Sequence, residues 1–333
     1  MTPHVPKAVF NNPLGDYLLV LCPVWVGALY IFLISTFPTY HVQIFAFYLL
    51  LLGESHFAVT WLFFNNRRNW EWLKHRWFSI AIVPVFIAGV YVSIGLWRLD
   101  LAFLVVGVAS GFHVTRQSIG VYRLYGGVKY GISEALIYGF SLFFLVVGFF
   151  RFYTEDINQL IGSLHYVSDV VARLFIDRET GVYFLLSTMI AVSVLVKKYS
   201  KDWRQWTATM TGSFLYTPYC FVTTPYDAMA IGVGMHWCQY LGLNYLIYFK
   251  KDRRGPTENI IGTKMAFMFI VGYTVLMSSL DTGGWESFRV EQAWVLIPLT
   301  GNLIHFYIDA FIWKFSDPHI RKEIGEELFV RAN

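Results

Sequence analysis

Residues 77–97 read WFSIAIVPVFIAGVYVSIGLW, a stretch without a single charged side chain. A helix that crosses a membrane needs about 20 mostly apolar residues, because each residue adds only about 1.5 Å along the helix axis. Arg76 precedes the stretch and Arg98 follows it, so charge marks both of its ends. The stretch predicts a transmembrane helix over residues 77–98.

The rest of the chain has the same apolar character. Of its 333 residues 56% are hydrophobic and only 14% are charged, whereas about a quarter of the residues in a soluble domain are charged. No basic stripe is interleaved with aromatic residues, which argues against nucleic-acid binding. Three cysteines in apolar surroundings form no CxxC motif, so neither a disulfide framework nor a thiolate metal site is expected. The composition predicts an integral membrane protein, with the lipid bilayer as its partner.

Nine further stretches are long and apolar enough to span a bilayer. The predicted helices cover about 16–37, 41–65, 77–98, 100–123, 132–153, 179–197, 206–224, 226–249, 263–281 and 290–315. The seventh is the weakest, because it contains Gly212 and Pro218 and runs almost directly into the eighth. The fold class is therefore predicted to be all-α: a polytopic helix bundle of about ten transmembrane helices, forming a single transmembrane domain over residues 1–333.

The charges between these helices alternate. Basic residues gather after the even-numbered helices and in the C-terminal tail, at Arg67, Arg68, Lys74, Arg76, Arg123, Lys129, Lys197, Lys198, Lys201, Arg204, Lys250, Lys251, Arg253, Arg254, Lys314, Arg321 and Lys322. The connections after odd-numbered helices contain no lysine. Since an excess of Lys and Arg marks the cytoplasmic side, both termini are predicted to be cytoplasmic and the protein to be a multi-pass protein of the cell (inner) membrane.

One outer connection is long. In residues 154–178 the apolar residues recur at helical spacing, at Leu160, Ile161, Leu164, Val167, Val170, Val171 and Leu174. This pattern predicts an amphipathic helix on the outer membrane interface, acting either as a lid or in binding.

Four of the nine histidines lie inside predicted helices, and all four helices are even-numbered. They are His56, His113, His236 and His305. Each lies roughly 9 to 14 residues, or about 14–21 Å, from the basic residue that closes its helix. A single histidine in a membrane helix is usually a packing residue, but ionisable groups gathered at one depth are costly and usually functional. We therefore expect the four imidazoles to form a shared metal site.

Polar residues accompany the histidines at i+3 or i+4, on the same helix face. They are Thr60, Gln117, Gln239, Tyr240 and Asp309. Carboxylates, amides and hydroxyls in such places orient metal-binding imidazoles through the other ring nitrogen. Gln117, Gln239, Tyr240 and Asp309 are the predicted orienting residues, and nearby small residues such as Gly232 and Gly301 are expected to leave room for a ligand.

Two charged residues near the layer are harder to assign. Glu54 lies two residues from His56, so it faces the site only if the helix is distorted, which Gly53 permits. Arg116 is predicted to be a buried charge that pairs with Asp309 or Glu54.

An all-imidazole site suits Fe, Cu, Zn or Ni. Four histidines on Fe(II) leave coordination positions for O2 and substrate, so Fe(II) is the predicted cofactor, with Cu, Zn or haem b as alternatives. The sequence lacks the paired histidine clusters of two-iron hydroxylases, and it also lacks the HExxH motif of zinc proteases.

Four segments resemble the histidine-bearing helices of the Brp/Blh family of membrane β-carotene 15,15′-dioxygenases. They are Glu54-Ser-His-Phe, Gly111-Phe-His-Val-Thr-Arg-Gln, Met235-His-Trp-Cys-Gln-Tyr and His305-Phe-Tyr-Ile-Asp. The resemblance implies a single iron on the four histidines, with Asp309 matching an acidic residue after the last ligand. The sequence departs from the family in lacking a PHGxxD-like opening and in carrying Arg116 and Gln117 after His113.

These observations lead to three functional hypotheses. The first is a non-haem iron oxygenase that uses O2 on a lipid-soluble substrate, namely a carotenoid, another isoprenoid or an acyl chain. The second is a haem b electron carrier with paired axial histidines. The third is a transporter whose path is the polar layer, for which Pro218 and Pro225 indicate a broken helix. A lipid transferase using His305 and Asp309 is a further possibility.

Overall fold

The computed structural model describes residues 12–161, 178–200, 202–248, 259–286, 292–325 and 328. Within them the chain is mostly helical, and the β-structure found there is an isolated bridge between Asn66 and Asn259. The α-helices are α1 Pro13–Asp16, α2 Val24–Thr36, α3 His41–Tyr48, α4 Ser55–Thr60, α5 Arg67–Lys74, α6 Val83–Trp97, α7 Leu99–Leu124, α8 Ile132–Ile161, α9 Arg178–Tyr199, α10 Trp203–Phe214, α11 Pro218–Phe221, α12 Pro225–Tyr248, α13 Thr263–Glu286, α14 Gln292–Ile312 and α15 Pro318–Ile320. Stretches of π-helix at Tyr17–Leu21, Leu49–Glu54, Phe78–Ile82 and Arg321–Gly325 adjoin α1, α4, α6 and α15.

Seven continuous helical stretches in the described residues are long and apolar enough to cross a membrane. They are Pro38–Asn65, Phe78–Trp97, Leu99–Leu124, Ile132–Phe152, Glu179–Tyr199, Thr263–Leu280 and Trp294–Ile312. An eighth span is present if Pro13–Leu21 and Val24–Thr36, which meet at 63°, count as one. The protein is thus an all-α, multi-pass membrane protein, as predicted; the count of ten helices and the cytoplasmic termini stay predictions.

The bend between Pro13–Leu21 and Val24–Thr36 follows from the sequence. The π-helical stretch ends at Leu21, and α2 begins after Pro23. Because proline has no backbone N–H and its ring clashes with the preceding turn, the helix cannot run straight through it.

The seventh predicted helix, 206–224, is not one continuous helix. Helix α10 ends at Phe214, a turn covers Leu215–Thr217, and the short α11 begins at Pro218. Proline fits the first turn of a helix but not its interior, so Pro218 starts a new helix rather than continuing the old one. The eighth predicted helix is present as α12, and most of its side chains are buried.

The predicted outer amphipathic segment falls only partly on the described residues. Helix α8 runs on from the predicted fifth span to Ile161. Residues 162–177 lie outside the described residues, so the prediction of an interfacial helix over 154–178 stays a prediction.

The chain forms two compact units. The first unit comprises the residues up to His41 together with Gly111–Gln239, and the second comprises Val42–Ser110 together with Tyr240–Arg331. One boundary follows His41, the first residue of α3, and the other two fall inside α7 and α12, so these two long helices contribute to both units.

Contacts within the first unit group its connections into two sets. Gln205 at the start of α10 donates to the carbonyl of Tyr125, 2.9 Å away, so the connections after the fourth and sixth predicted helices lie together. Asp227 at the start of α12 accepts from Tyr30 and contacts His41 Nε2, each at 2.7 Å, which joins two connections predicted to be on the outer side.

The second unit shows the same grouping at its basic connections. Asn65 and Ile261 exchange two hydrogen bonds, of 3.1 and 2.7 Å. Arg68 pairs with Glu323 and Arg76 with Asp317, which holds α5 against the C-terminal segment. This is the arrangement expected if the basic connections share one side of the membrane.

Candidate metal centre

All four intramembrane histidines are buried, and each unit contains two of them. His113 in α7 and His236 in α12 belong to the first unit, with side chains 8% and 2% exposed. His56 in α4 and His305 in α14 belong to the second unit, each 1% exposed. The pairs are named the first-unit pair and the second-unit pair below.

The second-unit pair is in direct ring contact. The centroids of His56 and His305 lie 4.6 Å apart at an interplanar angle of 75°. The ring of Tyr240 lies against both, at 4.8 Å from His56 and 5.6 Å from His305. Phe57 covers the same two imidazoles, at 4.4 Å and 4.8 Å. Two imidazoles, a phenol and the phenyl ring of Phe57 are therefore packed together.

A backbone carbonyl sets the tautomer of His56. Its Nδ1 lies 3.3 Å from the carbonyl oxygen of Gly53, one turn earlier. A carbonyl oxygen only accepts hydrogen bonds, so Nδ1 must carry the proton, and the lone pair of the neutral ring then lies on Nε2. This is the form of imidazole that binds a metal through Nε2.

A chain of hydrogen bonds sets the tautomer of His305. Its Nδ1 lies 2.7 Å from Thr60 Oγ1, which lies 2.8 Å from the hydroxyl of Tyr240. Tyr240 donates to Asp309 Oδ1 at 2.8 Å. Because the single phenol proton goes to Asp309, Thr60 donates to Tyr240 and accepts from Nδ1 of His305. The order of donors again leaves the lone pair of His305 on Nε2.

Asp309 also lies beside the metal-binding face of His305. Its Oδ2 is 3.6 Å from His305 Nε2, four residues along the same helix, and its side chain is 2% exposed. A buried carboxylate is stable only when it is paired or coordinates a cation. The contact places a negatively charged oxygen near the nitrogen that would bind a metal.

The first-unit pair is more widely spaced. The ring centroids of His113 and His236 lie 5.8 Å apart at 88°. Two imidazoles that share one ion at a metal–nitrogen distance of about 2.1 Å have centroids about 4.5 to 6.5 Å apart, depending on the angle at the ion. Both pairs fall within this range, so either spacing is compatible with two ligands of one ion.

The broken helix α10–α11 packs against both histidine-bearing turns of the first unit. The hydroxyl of Tyr216 donates to the carbonyl of Gly111, two residues before His113, at 3.2 Å. A Cβ placed on Gly232, one turn before His236, would lie 2.4 Å from the carbonyl oxygen of Leu215. Backbone packing at the break therefore positions the two helices that carry this pair.

Two predictions about neighbouring residues need correction, whereas the orienting role of Gln239 stays a prediction; its Nε2 donates to the carbonyl of Val20 at 2.6 Å. Gly232 leaves no room for a ligand, because Leu215 fills the space. Arg116 is exposed rather than buried, and its guanidinium lies over the ring of Phe112.

Other predicted residues have different outcomes. Tyr240 and Asp309 do lie at the second-unit pair, as described above. Gln117 is partly buried, and its role as an orienting residue stays a prediction. Glu54 is buried at the end of the π-helical stretch Leu49–Glu54, which is the distortion that Gly53 was expected to permit, and it interacts electrostatically with Tyr273.

Thr60 is the residue whose importance the sequence understated. It was assigned to His56 by its i+4 spacing, yet its hydroxyl orients His305 on another helix. Each of the four histidines and Asp309 belongs to a group of buried His or Asp side chains that could hold a metal ion.

No protein-family model matches this chain, and comparisons with curated proteins and with solved structures give no match either. The functional assignment therefore depends on the side chains themselves.

Proposed function

We propose that this protein is an integral membrane non-haem iron oxygenase that acts on a lipid-soluble substrate with O2. The iron ligands are His56, His113, His236 and His305. The observation that carries the proposal is the second-unit pair, where hydrogen bonds to Gly53 and Thr60 hold both Nδ1 atoms and direct the lone pairs to Nε2.

The chemistry of the donor set supports a transition metal. Neutral imidazole nitrogens suit Fe, Cu, Zn and Ni, whereas Mg and Ca prefer oxygen ligands. Hydrogen bonds that fix ligating imidazoles raise their basicity and their affinity for the metal. Fe(II) bound by four histidines would keep coordination positions open for O2. It would supply the activation of O2 next to the substrate.

The residues around the second-unit pair have separable roles in this proposal. Thr60 and Tyr240 hold His305 in one tautomer. Asp309 accepts the last hydrogen bond of this series, from Tyr240, and offers a carboxylate oxygen beside Nε2 of His305. Phe57, which is buried, covers the imidazoles and excludes water from them. An apolar substrate that enters from the bilayer suits this water-excluded site, because it has no polar groups whose hydration would be lost on binding.

Metal content tests this proposal. The protein is purified in dodecyl maltoside after expression with added iron, and metals are measured by mass spectrometry together with a visible spectrum. We expect iron without a Soret band in the wild type, and loss of that iron in His305→Ala and His113→Ala. His75→Ala, which removes an exposed histidine, is the matched control and should keep its iron.

The number of iron ions per chain separates two forms of the proposal. One ion lost completely from either variant means that both pairs contribute to its binding. Two ions, of which each variant loses one, mean that the pairs bind separately. No transition metal in the wild type would end the proposal, and a Soret band would favour the haem b alternative.

Substrate screening follows once iron is found. O2 uptake by the purified protein is measured with carotenoids, other isoprenoids and acyl lipids. The resemblance to the Brp/Blh dioxygenases makes a carotenoid one member of that panel.

A transporter remains a second candidate because of the broken helix α10–α11. Broken helices with exposed backbone groups often bind transported solutes in membrane proteins. Buried hydroxyls of Thr207, Thr209, Thr211 and Ser213 accompany the break. Solute flux in proteoliposomes that persists after chelation of metal would favour transport over oxygenation.

A further inference from the structure

Arg116 is a charged group that the proposed function does not use. It lies three residues after His113 in α7, inside the membrane-spanning stretch Leu99–Leu124. Its side chain is exposed. A guanidinium on the outer surface of a membrane span is unusual, because charged residues in spans normally face the protein interior.

The part of the chain that the structure describes offers Arg116 little electrostatic compensation. Its guanidinium lies 5.9 Å from the ring centroid of Phe112. It also attracts the carboxylate of Glu134. However, that carboxylate already accepts two bonds from Arg123, at 2.6 and 2.7 Å, and one from the backbone N–H of Tyr130 at 3.0 Å. Within the described residues no carboxylate forms an ion pair with Arg116.

Arg116 lies within the membrane-spanning part of α7. It lies eight residues before the end of the span at Leu124, which corresponds to about 12 Å along the helix. Its guanidinium lies over Phe112, one turn farther from that end, so the positive charge stays within the span and needs an anionic partner there. Its planar fork of five N–H donors matches a carboxylate or a phosphate, with two parallel hydrogen bonds.

We propose that Arg116 binds the anionic head group, a carboxylate or phosphate, of the lipid on which the protein acts. The apolar chain of that lipid then lies against Phe112, whose side chain is 54% exposed, and continues toward His113. This inference rests on the proposed function and narrows its substrate class. It favours an acidic acyl lipid over a neutral carotenoid.

Binding measurements test the head-group site without any turnover. Radiolabelled oleate and dioleoyl phosphatidate are the acidic probes, and methyl oleate and dioleoylglycerol are their neutral partners with the same chains. Equilibrium binding to the purified protein in dodecyl maltoside is measured for the wild type, Arg116→Gln and Arg116→Lys. Lys198→Gln is the matched control, because Lys198 is also exposed at a span and lies 5.8 Å from the ring of Tyr199.

We expect Arg116→Gln to weaken binding of an acidic probe about tenfold or more, since charge-assisted paired hydrogen bonds are lost. Arg116→Lys should weaken it less, because the charge remains while the fork is lost. Binding of the neutral probes should not change, and Lys198→Gln should behave as the wild type. A loss confined to oleate identifies a free acid as the ligand, and a loss confined to phosphatidate identifies a phospholipid.

Unchanged binding of both acidic probes in Arg116→Gln would overturn the inference, as would an equal loss for the neutral probes. Iron content is measured on the same samples. Iron that is retained in Arg116→Gln, with unchanged acid binding, refutes the head-group site alone. Absence of iron from the wild type refutes the oxygenase proposal, while the comparison of acid with ester still decides the role of Arg116.

Discussion

The two histidine pairs are positioned by different kinds of interaction. In the second-unit pair, side-chain hydrogen bonds run from His305 through Thr60 and Tyr240 to Asp309. In the first-unit pair, the helices themselves are positioned by backbone contacts, where Tyr216 bonds the carbonyl of Gly111 and Gly232 packs against Leu215.

The difference separates ligand orientation from helix placement. Hydrogen bonds to an imidazole fix its tautomer and its rotation about the side chain, and thus act on metal affinity. Close backbone packing fixes where the helix lies, and thus acts on the stability of the fold. Substitutions at the second-unit pair should therefore change metal binding with little change in stability, and substitutions at the α10–α11 break should do the reverse.

The largest expected effect is on metal affinity at the second-unit pair. Thr60→Val keeps the shape of the side chain but removes the hydroxyl that contacts Nδ1 of His305. Loss of a residue that orients a metal ligand typically lowers metal affinity about 10- to 100-fold. We expect a loss of this size for iron, measured by competition with a chelator of known affinity.

Thr60→Ser is the control for that substitution, because it restores the hydroxyl. It should recover most of the affinity. Equal affinities for Thr60→Val and the wild type would show that the hydrogen-bond chain does not orient a ligand, and the contrast between the pairs would lose its basis.

Much of the fold was predictable from local sequence. Stretches such as 77–97 have the length and apolarity of spanning helices, and the structure has a span over Phe78–Trp97. The break at Pro218 was predictable from the proline within a weak seventh helix. Its consequence, a carbonyl of Leu215 packed against Gly232, is a tertiary contact that no local pattern contains.

The candidate site was predictable at the level of residue type and depth, but not of partners. Helical spacing places Thr60 and His56 on one face, yet a threonine hydroxyl that projects from the helix can reach a neighbouring helix, where it meets His305. Gln239 has a partner that no local pattern contains, because its Nε2 donates to the carbonyl of Val20, which the interruption at Pro23 deprives of a helical donor.

A second prediction concerns stability at the first-unit pair. In Gly232→Ala the new Cβ would meet the Leu215 carbonyl oxygen at 2.4 Å, so the backbones must move apart. Overpacking of this kind costs about 1–3 kcal/mol. We expect a lower thermal unfolding temperature in detergent, followed by circular dichroism.

Gly139→Ala is the matched control, since nothing lies within 4 Å of a Cβ at that position in α8. Alanine is a better helix former than glycine, so this variant should be as stable as the wild type or slightly more stable. A Gly232→Ala protein that unfolds together with Gly139→Ala would mean that the break does not position α12.

A smaller effect is expected when a single hydrogen bond at the break is removed. Tyr216→Phe keeps the ring but deletes the hydroxyl that donates to Gly111. A neutral hydrogen bond contributes about 1 kcal/mol, so the loss of unfolding free energy should be near that value, with iron affinity changed less than in Thr60→Val. A larger effect on iron than on stability would place Tyr216 with the orienting residues instead.

The smallest expected effect extends the comparison to the basic ends of the two units. In the first unit the contact there is the ion pair of Arg123 with Glu134. In the second unit it is made by the C-terminal segment, where His319 stacks on Trp72 at 5.3 Å and contacts Asn69 at 2.9 Å. Burial lowers the pKa of His319 from its ordinary value, outweighing attraction by Glu323 and Asp317.

The sign of the resulting pH dependence follows from that direction. Below about pH 6.5 the unfolded chain binds a proton at His319 that the folded chain takes up only at lower pH. Stability from this residue is therefore complete above that pH, and it is lost as the pH falls through the folded pKa. The unfolding temperature of the wild type, minus that of His319→Gln, should shrink between pH 7 and pH 5. His75→Gln, on an exposed neighbouring histidine, should track the wild type, and a constant difference for His319→Gln would show that the C-terminal contact does not respond to protonation.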